Sequence, residues 1–398
     1  MRQNRPLIKY LVSSPYGDVP IDKNKWHLPL EGDALKTPYR VYFQYIKDFL
    51  THEDFKPLLY SANKKLGKGI HLKDVKEIMV RSEKHGFLYH PASIEVILKE
   101  GSVKFGLNVA ISEGGKNWLR EEFSVLKRLN TKFNLPYLPA PYFLGELNSI
   151  LFLLEDWFEG YHEFHISKDE EGKQRLKLWD FDSGYKYLSP EQSFEIYKQA
   201  SKILVLYYDF VEFHHIYPWH HAAGDFVVRI EDRVIGHPHP TPPPSMGRED
   251  RDGGRRLGGG GIDVRLTTAR RYEPLMDFHK DTINPLLALF YFFLNLSVRM
   301  RLDKLDGLGE VVWADDICLE ATVKGFLEAL KLKEELEHYI GSVEDFLRLL
   351  KSFGEEELKI TFNPIIELYT KEKDFPILIE NLEEHVRKLY AILQTLPL

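Results

Sequence analysis

Alternation of apolar and polar residues with a period of two opens at Ser93-Ile94-Glu95-Val96-Ile97-Leu98, breaks at Glu100-Gly101 and resumes through residues 103–111. That pattern predicts an antiparallel hairpin with one face buried. Gly114-Gly115 ends the second strand, and Trp118, Leu119, Phe123, Leu126 and Leu129 then recur at intervals that predict a helix over residues 117–130. Two further apolar runs, 142–145 and 150–154, read as strands, the second running into Glu155-Asp156-Trp157-Phe158-Glu159-Gly160. Upstream, residues 7–12 read as a short strand, 39–50 as a helix, and 72–82 as a helix that stops at Gly86.

Beyond Gly160 the period changes. Residues 167–177 are charged and loop-like, and Pro190 starts a long helix through Phe194, Ile196, Tyr197, Ala200, Ile203, Leu204 and Tyr207. The helix delivers the chain to His214-His215-Ile216-Tyr217-Pro218-Trp219-His220-His221-Ala222-Ala223-Gly224-Asp225, followed by the strand-type run Phe226-Val227-Val228. Ile262-Asp263-Val264-Arg265 is a second strand-type segment, in which Asp263 points away from its apolar neighbours. Between the two, residues 236–261 hold Pro238, Pro240, Pro242, Pro243, Pro244 and eight glycines, a composition expected to stay disordered. From Asn284 onward the spacing predicts helices at 285–301, 314–331, 332–339, 342–353 and 374–395.

This order, a small mixed sheet with one helix, then a strand pair, then a helical part, predicts an α+β chain. Its 398 residues exceed what one core usually holds, about 250–300. The expected divisions are an accessory region at 1–86, a sheet-bearing part at 87–160 and a helical part at 161–398.

Composition narrows the function classes. The net charge of −7, with both signs mixed throughout, leaves no basic footprint for nucleic acid. A single cysteine, Cys318, excludes an internal disulfide and suits a reducing compartment. Residues 1–5 lead into no long apolar stretch, and the longest apolar run, 285–294, is too short for a bilayer, so a cytoplasmic protein without membrane contact is expected. Oligomeric state is not written in these patterns.

Chemistry concentrates at the two strand segments. Were they to form a hairpin, Asp225 and Asp263 would converge on a hard cation such as Mg2+, which prefers oxygen ligands and can carry phosphates; the bland alternative is a turn aspartate and a solvent-facing strand aspartate. His220 and His221 are of the type that serves as general base near neutral pH, or else they cap and pack a tight loop. Together with His214, His215 and Asp225 they also suggest a zinc or iron site, without the i, i+4 spacing of a helical zinc motif. Arg265, Arg270 and Arg271 suit a clamp for phosphate or an acidic substrate, or form a solvated charge run. The run 299–306 mixes both signs and reads as a helix end with exposed salt pairs or as a surface for a charged acceptor. Trp313, Asp315 and Asp316 read as a capped helix start or as part of a substrate groove. Residues 258–261 lack the Lys-Ser/Thr of a phosphate loop.

In order and in particular dipeptides the chain from residue 87 onward resembles the aminoglycoside phosphotransferase and choline kinase-like family, which has the protein-kinase fold. Leu153-Leu154-Glu155-Asp156-Trp157-Phe158-Glu159-Gly160 looks like that family's hinge. Residues 220–228 fall where it writes His-Gly-Asp-x-x-x-x-Asn and a short apolar strand, and residues 262–265 where it writes Ile-Asp-Phe-Glu. The resemblance implies a bilobal fold with a small β-rich N-lobe and a larger helical C-lobe. It also implies ATP with Mg2+ as cofactors, a small-molecule hydroxyl or amine as phosphate acceptor, and nucleotide contacts from Glu155, Asp156 and Trp157. Asp225 takes the place of the metal-binding asparagine, Asp263 that of the second metal ligand, and His220 that of the catalytic aspartate. The family's lysine falls near Asn108 and its glutamate partner near Glu121, with Lys104 and Lys116 as substitutes for the lysine; no Gly-rich loop precedes them. Two functions stand open: an ATP-dependent small-molecule phosphotransferase, and a pseudokinase that binds nucleotide or regulates without turnover.

Overall fold

A computed structural model describes residues 5–397 apart from 15–16, 32, 34, 84–88, 181–183, 232–260, 277–283 and 308. The segment expected to be disordered, 236–261, lies outside the described residues except for Gly261. The chain is mixed α+β, with a many-stranded sheet in its N-terminal part and helices dominating its C-terminal part. It divides into two compact units, one of Met1–Gly160 with Phe181–Gly184 and Arg233–Leu257, the other of Tyr161–Asp180, Tyr185–Asp232 and Gly258–Leu398. No described helix is long and apolar enough to cross a membrane.

The first unit runs β1 (Leu7–Ser14), β2 (Gly17–Pro20), α1 (Tyr39–Leu66), β3 (Val75–Ser82), β4 (His90–Leu98), β5 (Ser102–Ala110), α2 (Glu113–Phe133), β6 (Pro141–Leu147) and β7 (Ile150–Asp156). Its strands form one seven-stranded sheet in the order β2-β1-β3-β4-β5-β7-β6, antiparallel except for the pair β1 and β3. Residues 1–86 therefore supply three of the strands and are part of this sheet. Residues 72–82, expected as a helix, are mostly β3: Ile78 and Val80 are buried at alternate positions, the period of a strand. Both faces of the sheet are covered. Phe105, Leu107, Val109, Phe152 and Leu154 pack with Phe43, Ile46, Phe49 and Leu58 of α1, and the alternate residues Ala110, Leu151 and Leu153 pack with Leu119 of α2. The expected helix at 39–50 continues to Leu66 through a left-handed break at Glu53, Asp54 and Phe55. Pro57 follows close behind, where a helix restarts and its missing N–H costs nothing.

The second unit runs β8 (His162–Lys168), β9 (Gln174–Asp180), β10 (Gly184–Tyr187), α3 (Pro190–Leu206), β11 (His214–Tyr217), β12 (Phe226–Ile230), β13 (Ile262–Leu266) and β14 (Arg271–Pro274). It continues with α4 (Pro285–Arg299), β15 (Leu302–Lys304), β16 (Val311–Trp313), α5 (Asp316–Leu330), α6 (Leu336–Tyr339), α7 (Val343–Ser352), α8 (Glu355–Thr361), α9 (Asn363–Tyr369) and α10 (Phe375–Thr395). A five-stranded sheet has the order β10-β9-β8-β12-β13, and β11 pairs with β14. Residues 167–177 are thus no loop: they contain the β8–β9 turn, where Asp169 Oδ1 accepts from the backbone N–H groups of Glu171 and Lys173. Their charges sit on strands whose alternate residues, Phe164, Ile166, Leu176 and Leu178, are buried. Ser189 caps α3 in a box with Gln192, and Pro190 takes the first helical position, as the sequence predicts. The run after α4 does not stay helical but turns through the hairpin β15–β16.

Candidate functional site

The polar centre of the second unit is built on the wide turn His221–Asp225 between β11 and β12, where Gly224 takes φ +91°. A left-handed backbone there suits glycine. A Cβ on Gly224 would also lie 3.4 Å from the Glu163 carboxylate of β8. Asp225 closes the turn by accepting the His220 N–H at 2.8 Å, and Arg270 grips both its oxygens, Nη2–Oδ1 at 2.7 Å and Nη1–Oδ2 at 3.1 Å. Thr267 donates its N–H to the Asp225 carbonyl at 2.8 Å and its hydroxyl to the same carbonyl and to that of Gly224.

From below, Asp303 of β15, fully buried, forms an ion pair with His221 Nδ1 and accepts the Ala222 N–H at 2.8 Å. Burial pushes the Asp303 carboxyl up, but His221, His220 and the Ala222 N–H together outweigh it and hold the group at about 2. Arg299, at the end of α4, donates to the Trp219 carbonyl at 3.1 Å, sits 3.3 Å from His220 Nε2 and is anchored on Asp374 at 2.8 Å. Burial, then the charge of Arg299, lowers the proton affinity of His220 below that of a free imidazole. His165 of β8 adds a ring nitrogen 2.9 Å from the Ala222 carbonyl. These contacts fix the turn: Arg270, Arg299, Asp225, Asp303, His165 and His221 bond one another or the backbone of residues 218–225.

The expected hairpin of the two aspartate-bearing strands forms, but the carboxylates do not meet. Arg229 pairs with Asp263 and Phe226 with Leu266, so Asp225 lies at one end of the ladder and Asp263 four residues along it. At roughly 3.3 Å per residue the separation is about 13 Å along the strand. Asp263 instead accepts from Tyr161 Oη at 2.5 Å and Arg265 Nη2 at 2.9 Å, with Arg229 at 3.6 Å. Neither aspartate is free to hold Mg2+ with the other, and the donor set does not fit a two-carboxylate site. Among the described residues, no group of three or more His, Cys, Asp or Glu side chains is placed to hold a metal ion. His214 and His215 lie on β11, where His215 is buried against Phe292, away from the turn. Of the arginines proposed as a clamp, Arg265 holds Asp263, Arg270 holds Asp225, and Arg271 points along β14 toward Glu273 at 3.7 Å.

In the first unit, Asn108 is buried on β5 and donates its side-chain N–H to Glu155 Oε1 at 2.8 Å. Glu121 is exposed; the buried acid of α2 is its neighbour Glu122, bonded by the Tyr89 hydroxyl. Leu119, Glu122, Leu126 and Leu129 fall at intervals of three and four, so helical spacing alone marks Glu122 as the inward residue. Asp156 is held by Lys65 at 2.8 Å and by Tyr142 at 2.6 Å. Lys104 places its ammonium 4.9 Å from the centre of the Trp157 ring, and Lys116 donates to the Ser149 carbonyl and pairs with Glu113. Arg299, Arg301 and Asp303, part of the run read as exposed, are instead all buried. Compared with known proteins, the chain matches no family model and no curated protein.

Proposed function

We propose that this chain is a protein-kinase-shaped binding or regulatory module that does not transfer phosphate through a Mg2+ site, with a purine nucleotide as its ligand. The resemblance of residues 153–160 to a hinge supports the nucleotide, and the succession of β11, turn, β12, β13 and β14 supports the kinase-like arrangement. What carries the absence of turnover is the two-pronged hold of Arg270 on Asp225, which sets a positive charge against both oxygens of that carboxylate, where a cation would bind. Asn108 in place of the family's lysine removes a charge that would hold phosphates.

One observation favours the phosphotransferase reading. By the resemblance His220 takes the place of the catalytic aspartate; its side chain is 24% exposed, and its lowered proton affinity keeps it neutral, the form that can take a proton from an acceptor hydroxyl. Thermal unfolding with ATP, with and without Mg2+, measures binding, since a ligand selective for the folded state raises the midpoint. Hydrolysis of ATP by the wild type, His220→Ala and Asp225→Ala measures turnover. Binding with equal background hydrolysis in all three is the expected result. Turnover by the wild type that both substitutions abolish would replace the module by the enzyme, and the lack of any shift with ATP would remove the nucleotide.

A further inference from the structure

The first unit buries a carboxyl group that none of the described residues neutralises. Glu155, on β7, is 7% exposed; Oε1 accepts from Asn108, and Oε2 is buried without a hydrogen-bond partner. Strand parity places Asn108 and Glu155 on the face of the sheet that α2 covers, since Ala110, Leu151 and Leu153, at the same parity, pack with Leu119. From α2 the inward residue is Glu122, also an acid and only 1% exposed. A Cβ on Gly106, the neighbour of Glu155 across the ladder, would lie 3.4 Å from the Glu155 side chain, so the carboxyl is closely covered from β5.

The other charges around it are committed elsewhere. Asp156, next along β7, faces the opposite way and is paired with Lys65 of α1. Lys104, two rungs along β5 on the α2 side, ends over the Trp157 ring. Glu122 takes the Tyr89 hydroxyl. A carboxylate buried with one neutral partner is costly to ionise, and the cheaper state keeps a proton.

We propose that Glu155 keeps its proton at neutral pH, so that α2 is held against β7 by a neutral carboxyl and its hold loosens when that proton is lost to an alkaline medium. The direction of the titration agrees: burial, then the Glu122 charge, raises Glu155 well above the ordinary glutamate range, against a smaller lowering by Asn108. Because the folded value is raised, the stabilisation is complete below the unfolded value and is lost as pH rises through the folded one. The proposal goes beyond the functional reading and does not need it.

Two measurements on the full chain test it. Infrared difference spectra should show a band of un-ionised carboxyl that persists at neutral pH in the wild type and is missing in Glu155→Gln. Hydrogen exchange, corrected for the intrinsic effect of pH, should show the α2 amides losing protection with rising pH, by about tenfold per pH unit between the unfolded value and the folded one and no further above it; Glu155→Gln should hold its protection constant. Should Glu155→Gln not fold, Asn108→Lys serves instead, because an ammonium beside the same oxygen ionises Glu155 and abolishes the band. No un-ionised band in the wild type at neutral pH, or an identical pH slope in wild type and variant, overturns the proposal.

Discussion

Arg270 and Asp225 meet as a fork on a fork, with contacts of 2.7 and 3.1 Å, at a point where Asp225 also takes the His220 N–H. Planar guanidinium and carboxylate match in geometry, so the pair gains orientation as well as charge. It joins the loop after β13 to the turn before β12, and it does so at the carboxylate the sequence offers for a metal. One arrangement thus serves the fold and engages both oxygens of that carboxylate.

Arg270→Ala leaves the Asp225 carboxylate, 9% exposed in the pair, without its cation. Removing one partner of a buried pair typically costs about 3–5 kcal/mol. The partial exposure of Arg270, 21%, puts the expected loss at the lower end of that range. Denaturant unfolding measures it, and Arg270→Ala combined with Asp225→Ala should be less damaging than Arg270→Ala alone, because the stranded charge has gone with its partner. A double variant at least as unstable as the single would show that the pair is not what fixes the turn.

Asp303 gives an acid limb to stability. Its folded carboxyl titrates at about 2, below the unfolded value of 3.8, so its contribution is complete above the unfolded value and is lost as pH falls through the folded one. The shift corresponds to roughly 2 kcal/mol. Acid titration of unfolding should show the wild type losing this increment on going down to about pH 2. Asp303→Asn should begin less stable at neutral pH, lose less in that window and approach the wild type at its acid end. Parallel curves would mean that Asp303 is no more favourably placed than a solvent-exposed carboxylate.

His215 acts on the other side of the acid range. It is buried on β11, and burial lowers its imidazole from 6.5 to about 4, so the folded chain resists the proton that the unfolded chain accepts. Stability is therefore complete above about 6.5 and declines as pH falls toward 4. His215→Phe removes the titration and should flatten this part of the stability profile, leaving the contributions of His220 and His385, which are lowered in the same direction, and the opposite one of Glu155. An unchanged slope between the two pH values would show that His215 does not carry the titration.

Most of the elements were legible because their periods are local. The hairpin of β4 and β5, the apolar faces of α2 and α3 and the long C-terminal helices each depend on residues a few positions apart. What escaped depends on partners far along the chain. Arg299, Arg301 and Asp303 alternate charge like an exposed helix end, and only packing against Asp374, Ala314 and the 219–222 backbone makes them interior. Alternation told which face of its strand Asp263 occupies, but not which rung, since residues 236–261 intervene and nothing local fixes the register. The inward acid of α2 is legible in helical spacing: Glu122 continues the stripe of Leu119 and Leu126, and Glu121, which the resemblance picks, does not. Leu72-Lys73-Asp74 followed by β3 shows a helical start that turns into strand period within three residues.

Gly325 reverses an ordinary expectation about helices. Replacing glycine by alanine inside a helix usually stabilises it by about 1 kcal/mol, because alanine loses less backbone freedom on folding. Gly325 lies in α5, the helix packed along α3, and a Cβ there would come within 2.1 Å of the Lys198 carbonyl oxygen and 3.1 Å of Ser201 Cβ. The obstacle is backbone, which cannot swing aside as a flexible side chain can, so the helices must part. Ser201 also donates its hydroxyl to the Thr322 carbonyl across the same contact at 2.8 Å, and separation breaks that bond in a fully buried place. Overpacking of this kind costs about 1–3 kcal/mol, more than the helix propensity returns. Gly325→Ala should therefore lower the unfolding midpoint, whereas Gly114→Ala, in the first turn of α2 with nothing within 4 Å of its added Cβ, should leave it unchanged or raise it. Equal gains from both substitutions, read by thermal unfolding, would show that α3 and α5 do not meet at backbone distance.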